Sequence, residues 1–407
     1  MSFFAAMLTR VVNDLPYAIL FPWPLFLPVV GVLLARRRGL EQRLLGLSGL
    51  PFWRELAGDA LLGLLAGFLS SLLLLYLGLP LYPDDFAYIL PVALLLMLLD
   101  MRYLCLAYAG GILSLLHLIF RWPSIHLPNL LALVAALHLT ESIMIAVDGH
   151  ERALPAYFRL RNRGTVGGYL LQRVWPMPLL YLSVATGALP PGGVQYLKPP
   201  SWWPLIPLAA EHVGKQIVFF ALPAAVILGY GDLALSRTPR AKSLRTAGFL
   251  ALYGLVLLGL AVAAAHQPGL AWAAAVFAPC GHEAVLYFAR RSEIHGKPFF
   301  FPRPEGVPIL AVLPGSPADR MGLTPGMIVT KINDHPVKTK AEAVTGLTEM
   351  PFFVTITAVS PGGALEKNYE FRSETSRLGI LFAPAPEEPA HVDVAPWRFF
   401  PVRRRKR

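Results

Sequence analysis

The sequence predicts a polytopic α-helical membrane region of about nine spans, followed by a small C-terminal α+β domain. Two observations carry this. Of 407 residues, 55% are hydrophobic and only 15% charged, with a mean hydropathy of +0.53, whereas soluble domains carry about one-quarter charged residues. The pattern also changes near residue 290. Before it, apolar stretches follow one another with charges held in short loops. After it, apolar and polar residues alternate between Gly and Pro turns, as half-buried strands do. The expected division is a multi-span region over 1–291, a cytosolic domain over 292–385 and a disordered basic-aromatic tail over 386–407.

About 20 apolar residues cross a bilayer core as a helix. Spans are expected near 15–35, 57–79, 86–99, 103–120, 128–147, 174–190, 207–230, 247–266 and 268–289. The third is short and the sixth contains Pro176 and Pro178, so the count lies between seven and nine. The first run ends in Arg36-Arg37-Arg38 and reads as a span, not a cleavable leader.

The formal net charge is +11. Basic residues gather in alternate loops: Arg36–Arg38, Arg43 and Arg54; Arg102; Arg152, Arg159, Arg161, Arg163 and Arg173; Arg237, Arg240, Lys242 and Arg245; Arg290 and Arg291. With nine spans and the N-terminus outside, all these loops and the C-terminal domain face the cytoplasm. The basic excess is thus ascribed to topology, and no nucleic-acid partner is expected. The two cysteines, Cys105 and Cys280, are too few for a disulfide framework and read as small core residues.

Ionisable residues within spans need a reason. His138 and Glu141 are three apart, on one helix face, and His282 and Glu283 lie in the last span. Hydrogen bonding between helices is the simpler account; an ion path or a metal site is the sharper one. A zinc protease needs two His at i and i+4 with a Glu after the first. Gly281-His282-Glu283-Ala284-Val285-Leu286 supplies one His and the Glu, but Leu286 stands at the second ligand position. Asp148-Gly149, which could supply a third ligand, precedes the pair, the reverse of the order in such proteases. Gly-x-Ser-x-Gly and a phosphate-binding Gly loop are both absent. No catalytic residue, metal or cofactor is expected.

In the C-terminal part, Pro308–Leu313 reads as a strand ended by Pro314-Gly315-Ser316-Pro317. Ala318–Met321 reads as a short helix stopped at Gly322, and Met327–Asn333 as a strand after Pro325-Gly326. Lys340–Met350 suits an amphipathic helix. Phe352–Val359 and Asn368–Arg372 suit a hairpin around Pro361-Gly362-Gly363, and Leu378–Phe382 closes the set. This order of Gly-Ser-Pro-Ala, Gly-Leu, Pro-Gly and strand resembles the bacterial form of the PDZ fold. The resemblance implies that a peptide ligand adds as a strand beside a helix. Its carboxylate would meet the loop Leu378-Gly379-Ile380-Leu381, with Lys340, Val344 and Leu347 lining the groove from the helix and Arg377 favouring an anion. Gly379 would let backbone approach the ligand closely.

The tail carries Trp397, Phe399, Phe400 and then Arg403, Arg404, Arg405, Lys406 and Arg407. It is expected to lie on anionic lipids, each basic residue contributing about 1 kcal/mol.

Many spans, no catalytic motif and Pro314–Gly326 within one C-terminal domain together resemble the MinJ family. These are PDZ-containing cell-division topological determinants of Gram-positive rods. The resemblance implies a non-enzymatic membrane adaptor at septum and poles, with DivIVA-like and MinD-like division proteins as partners. The alternatives are a transporter or lipid-handling protein with a regulatory PDZ domain and, third, a degenerate intramembrane metalloprotease.

Overall fold

The computed structural model describes residues 3–45, 51–161, 163–186, 200–208, 217–348, 353–360, 363–370 and 378–394. The first part contains α1 (Phe3–Leu20), α2 (Leu27–Leu45), α3 (Phe52–Leu77), α4 (Pro83–Met97), α5 (Leu106–Phe120) and α6 (Leu127–Asp148). Three strands follow, β1 (Leu154–Leu160), β2 (Gly164–Thr186) and β3 (Ile217–Ala234), then α7 (Pro239–His266) and α8 (Ala271–His295). Helices α1, α3, α6, α7 and α8 are long and apolar enough to cross a membrane, while α4 and α5 are shorter. Helix α6 is apolar on all sides and forms the centre of the core, with Leu130 to Leu137 buried without a break.

Three expectations need correction. The segment 15–35 is not one span. Phe21-Pro22-Trp23-Pro24 interrupts it, because proline withholds the N–H a helix needs. A 3-10 turn over Trp23–Phe26 separates α1 from α2. Second, segments 174–190 and 207–230 are not helices. Over the described residues they pair as one antiparallel hairpin running from Tyr169↔Ala234 to Thr186↔Ile217. Third, residues 386–394 are not a loose tail. They form a strap ending in β10 (Val392–Asp393), which pairs in parallel with β1.

The hairpin explains its own prolines. Within a strand, a residue's N–H and C=O point to the same side. The Pro176 carbonyl accepts from the Trp23 indole at 2.9 Å, and the Leu180 N–H donates to Ser71 Oγ at 2.9 Å. The Leu182 carbonyl accepts from Leu81 N–H at 2.7 Å. Even-numbered positions of β2 therefore face α3, and the missing N–H groups of Pro176 and Pro178 fall on that edge, outside the ladder to β3. Gly63, Gly67 and Ser71 line α3 at four-residue spacing, and a Cβ at either glycine would collide with the Pro176 or Pro178 carbonyl. The edge of β2 thus lies against α3 backbone, closer than any larger side chain permits.

Arg173 meets Asp59 on α3 at 3.1 Å, and Leu182 bridges Pro80. From Asp59 to its end at Leu77 α3 rises about 27 Å, and a strand from Arg173 to Leu182 rises about 30 Å. The hairpin therefore makes two passages through the fold where two helices were expected. The flanking basic loops lie at one end of the hairpin, where Arg152 and Arg173 pair with Asp59 and Lys242 with Asp232. Helices α4 and α5 are different: their connecting turn places Arg102 against Glu283, at 3.4 Å, halfway along α8. Arg102 is inside the fold and not in an end loop.

The second part contains β4 (Val307–Val312), α9 (Pro317–Arg320), β5 (Ile328–Ile332), β6 (His335–Pro336), α10 (Lys340–Thr348), β7 (Phe353–Ser360), β8 (Gly363–Glu370) and β9 (Ile380–Phe382). Its sheet runs β8-β7-β5-β4-β9, with β6 beside β5. Val307, Ile309, Val329, Ile332, Ile356 and Phe382 belong to its core.

Gly67→Ala is expected to destabilise the protein by about 1–3 kcal/mol through overpacking. Gly248→Ala, in open space on α7, should be neutral or slightly stabilising. Thermal unfolding of the two variants in detergent checks this difference.

Candidate functional site

The groove expected from the sequence would lie between β9 and α10. Two local devices place β9. Ser316 caps α9, its Oγ accepting from Asp319 N–H at 3.3 Å, and Asp319 in turn accepts from Gly315 N–H at 2.8 Å. The loop before β9 is tied to this turn: Ala318 N–H donates to the Leu378 carbonyl at 3.0 Å, and Leu313 N–H to the Gly379 carbonyl at 2.8 Å. Gly379 has φ +85°, and a Cβ there would meet Ser316. The glycine is thus required by its own neighbour, whatever a ligand requires.

Strand β9 pairs with β4 on one side and with no other strand among the described residues. Ile380 and Phe382 turn into the domain's core, while Leu381 packs against the core of the first part. Helix α10 starts with a reciprocal cap. Glu342 N–H donates to Thr339 Oγ1 at 3.2 Å, and Glu342 Oε2 accepts from Lys338 N–H at 2.7 Å and Thr339 N–H at 3.2 Å. These backbone donors hold the Glu342 carboxyl below its ordinary range. Ala343 is buried, Leu347 half-buried, and Val344 remains 46% exposed.

The first part contacts both β9 and α10. Tyr157 on β1 donates its hydroxyl to the Phe382 carbonyl at 2.9 Å. Lys340 Nζ donates to Tyr157 Oη at 3.0 Å and to Glu388 of the strap at 2.6 Å. Burial opposes the lysine charge, but these two bonds outweigh it and raise the ammonium above its ordinary range. Thr165 N–H donates to the Pro386 carbonyl at 2.8 Å, and the Tyr169 hydroxyl donates to the Leu310 carbonyl. The recognition domain is therefore docked on β1 and β2.

Of the other expected site residues, His138 and His282 meet at the centre of the first part, with ring centroids 5.2 Å apart. Cys105, read from sequence as a plain core residue, joins them, its Sγ 3.1 Å from His138 Nε2 and 3.6 Å from His282 Nε2. The three residues come from separate segments, so no spacing rule could have joined them. Among the described residues they form a group whose donor atoms could hold a metal ion. Glu283 accepts from the Tyr108 hydroxyl, and Glu141 is half-buried. Asp148 is not with His282, as a protease ligand would be. It accepts from Arg173 Nε at 2.6 Å and Trp175 Nε1 at 2.7 Å. Arg37, Arg38 and Arg152 gather nearby around Glu55 and Asp59, so several of these basic residues serve buried ion pairs as well as topology. Arg377 and the tail residues Trp397, Phe399, Phe400 and Arg403–Arg407 lie outside the described residues.

The architecture defines a platform of long apolar helices and an antiparallel sheet, β1-β2-β3, carrying a PDZ domain. The PDZ domain family matches residues 309–347, which run from β4 into α10. The chain is similar to the cell division topological determinant MinJ of Bacillus subtilis (strain 168), with 28% identity over 259 residues, 63% of this chain. The chain spans about three-fifths of the length of that relative, 61%. No solved structure matches.

Docking of the strap carries a pH dependence. His391 stacks on Tyr157 with centroids 4.6 Å apart, and its Nδ1 accepts from Tyr157 N–H at 3.1 Å. That bond needs Nδ1 unprotonated. Partial burial and then the Lys340 charge hold the imidazole below its ordinary value of 6.5, against the opposing charge of Glu388. The docked state thus binds fewer protons than the released state, and docking weakens as pH falls through 6.5 and below. Proteolysis within 384–394 should be several-fold faster at about pH 5.5 than at about pH 7.5. His391→Asn, which keeps an acceptor but does not titrate, should flatten the dependence.

Proposed function

We propose that the protein is a non-enzymatic membrane adaptor of division-site selection, recruiting partners through its PDZ domain on the cytoplasmic face. The observation that carries this reading is that β9 pairs with β4 on one side and with no other strand among the described residues, while Val344 of α10 is exposed. A peptide strand there gains main-chain hydrogen bonds from β9 and side-chain contact from Val344 and Leu347. Leu378–Leu381 would receive the peptide carboxylate. Tyr157, Lys340 and Glu388 close the opposite end, so the site suits a short C-terminal segment.

In this reading the helices and the hairpin cross the bilayer, with the basic loops inside the cell. Confinement to the membrane raises the effective concentration of partners at the PDZ domain. The similarity to a cell division topological determinant supports a role in division-site selection; the partners we propose are DivIVA-like and MinD-like proteins, and the place is the septum and poles. The segment Trp397–Arg407 adds a contact with anionic lipids of the inner leaflet.

The test is a fluorescent fusion of the full chain carrying Val344→Asp. The side chain is exposed, so folding and membrane insertion should persist. Septal and polar enrichment, and co-purification of a DivIVA-like partner, should fall about tenfold or more, as a buried unpaired charge in the groove implies. Undiminished enrichment and co-purification would rule the groove out as the recruiting surface.

A further inference from the structure

We propose that Cys105, His138 and His282 bind one Zn2+ ion inside the platform. The three donors converge from three directions. Cys105 directly precedes α5, held there by a 3-10 turn over Met101–Leu104 that Asp100 caps through the Arg102 N–H at 3.0 Å. Helix α6 supplies His138 and α8 supplies His282, each near the middle of its helix. Both imidazoles are buried, at 3% and 7% exposure.

The spacing suits a tetrahedral ion. With Zn–S about 2.3 Å and Zn–N about 2.0 Å, sulfur and nitrogen ligands stand about 3.5 Å apart. The Sγ–Nε2 separations are 3.1 Å and 3.6 Å. The donor atoms of all three residues lie within 4.8 Å of one another.

The surroundings turn both rings toward the sulfur. His138 Nδ1 donates to the Val134 carbonyl, 2.7 Å away. His282 Nδ1 lies 3.3 Å from the Tyr108 hydroxyl oxygen, and that hydroxyl donates to Glu283. An imidazole whose Nδ1 carries the proton presents a bare Nε2 lone pair. Such outer partners are the ones that orient histidines on metals. Two bare Nε2 atoms then face one thiol. The thiol has one proton and can satisfy only one of them, which leaves a buried acceptor without a donor. A cation satisfies all three at once.

Thiolate plus imidazole is a donor set that favours Zn2+ over hard cations such as Mg2+ or Ca2+. On binding, the Cys105 thiol loses its proton to solvent and the sulfur bonds the ion, so one proton is released per Zn2+ bound. Three protein donors leave a fourth position for water. The ion would tie the α4–α5 turn to α6 and to α8, the helix that leads into the PDZ domain.

The full chain, purified in detergent with a tag lacking histidine, should retain about one Zn2+ per chain after dialysis. Replacing Zn2+ with Co2+ should give the near-ultraviolet thiolate-to-cobalt absorption and the intense visible bands of a tetrahedral site. Cys105→Ser, nearly the same size, should abolish the thiolate band and lower retained zinc at least tenfold. Cys280→Ser, at an exposed thiol, should change neither. The wild-type cobalt spectrum needs no variant to fold. Absence of the thiolate band in the wild type, or its survival in Cys105→Ser, would overturn the proposal.

Discussion

The close seating of β2 on α3 is the constraint on which the rest of the molecule depends. A two-stranded hairpin running through a helical bundle exposes backbone along its edges, and backbone groups away from water need partners. On the β2 side the sequence answers this in two ways. Two prolines remove N–H groups from the edge, and Gly63, Gly67 and Ser71 let that edge reach α3, where Ser71 takes up the Leu180 N–H. Arg173 then fixes the register by pairing with Asp59 and Asp148. A slip of one residue would turn Arg173 away from both carboxylates.

The same strand carries the docking surface. Below Arg173, β2 continues through Tyr169, Gly167 and Thr165, each of which bonds the PDZ domain, the segment leading into it or the strap. Beside it, β1 presents Tyr157 to β9 through Phe382 and to α10 through Lys340. The recognition domain is therefore continuous in hydrogen bonding with the platform, not suspended from it by a flexible linker. Lys340 shows the consequence. Its place at the start of α10 suggests a ligand contact from sequence. In the structure its ammonium is already engaged by Tyr157 and Glu388.

Local patterns carried the PDZ domain. The turns at Gly315, Gly322 and Gly326 all have positive φ, and apolar–polar alternation marks the strands between them. The helices α3, α6, α7 and α8 were legible from apolar length alone. The hairpin was not, because a continuous apolar run of that length suits a helix and a doubly buried strand equally. Pro176 and Pro178 are the available sign, and in an apolar run they suit the break of a helix as well as the edge of a strand. The strap was missed for a related reason. Its composition is that of a linker, and only the acceptor edge of β1 gives Val392 and Asp393 a strand to join.

By itself the sequence determined where apolar surface must be buried and where the backbone must turn, because periodicity, proline and glycine act within a few residues. Tertiary structure decided which distant groups meet. Cys105, His138 and His282 come together only because α5, α6 and α8 pack at one depth, and Tyr157 reaches Phe382 across more than two hundred residues. Contacts of that kind depend on the mutual placement of whole elements, and no local pattern encodes it.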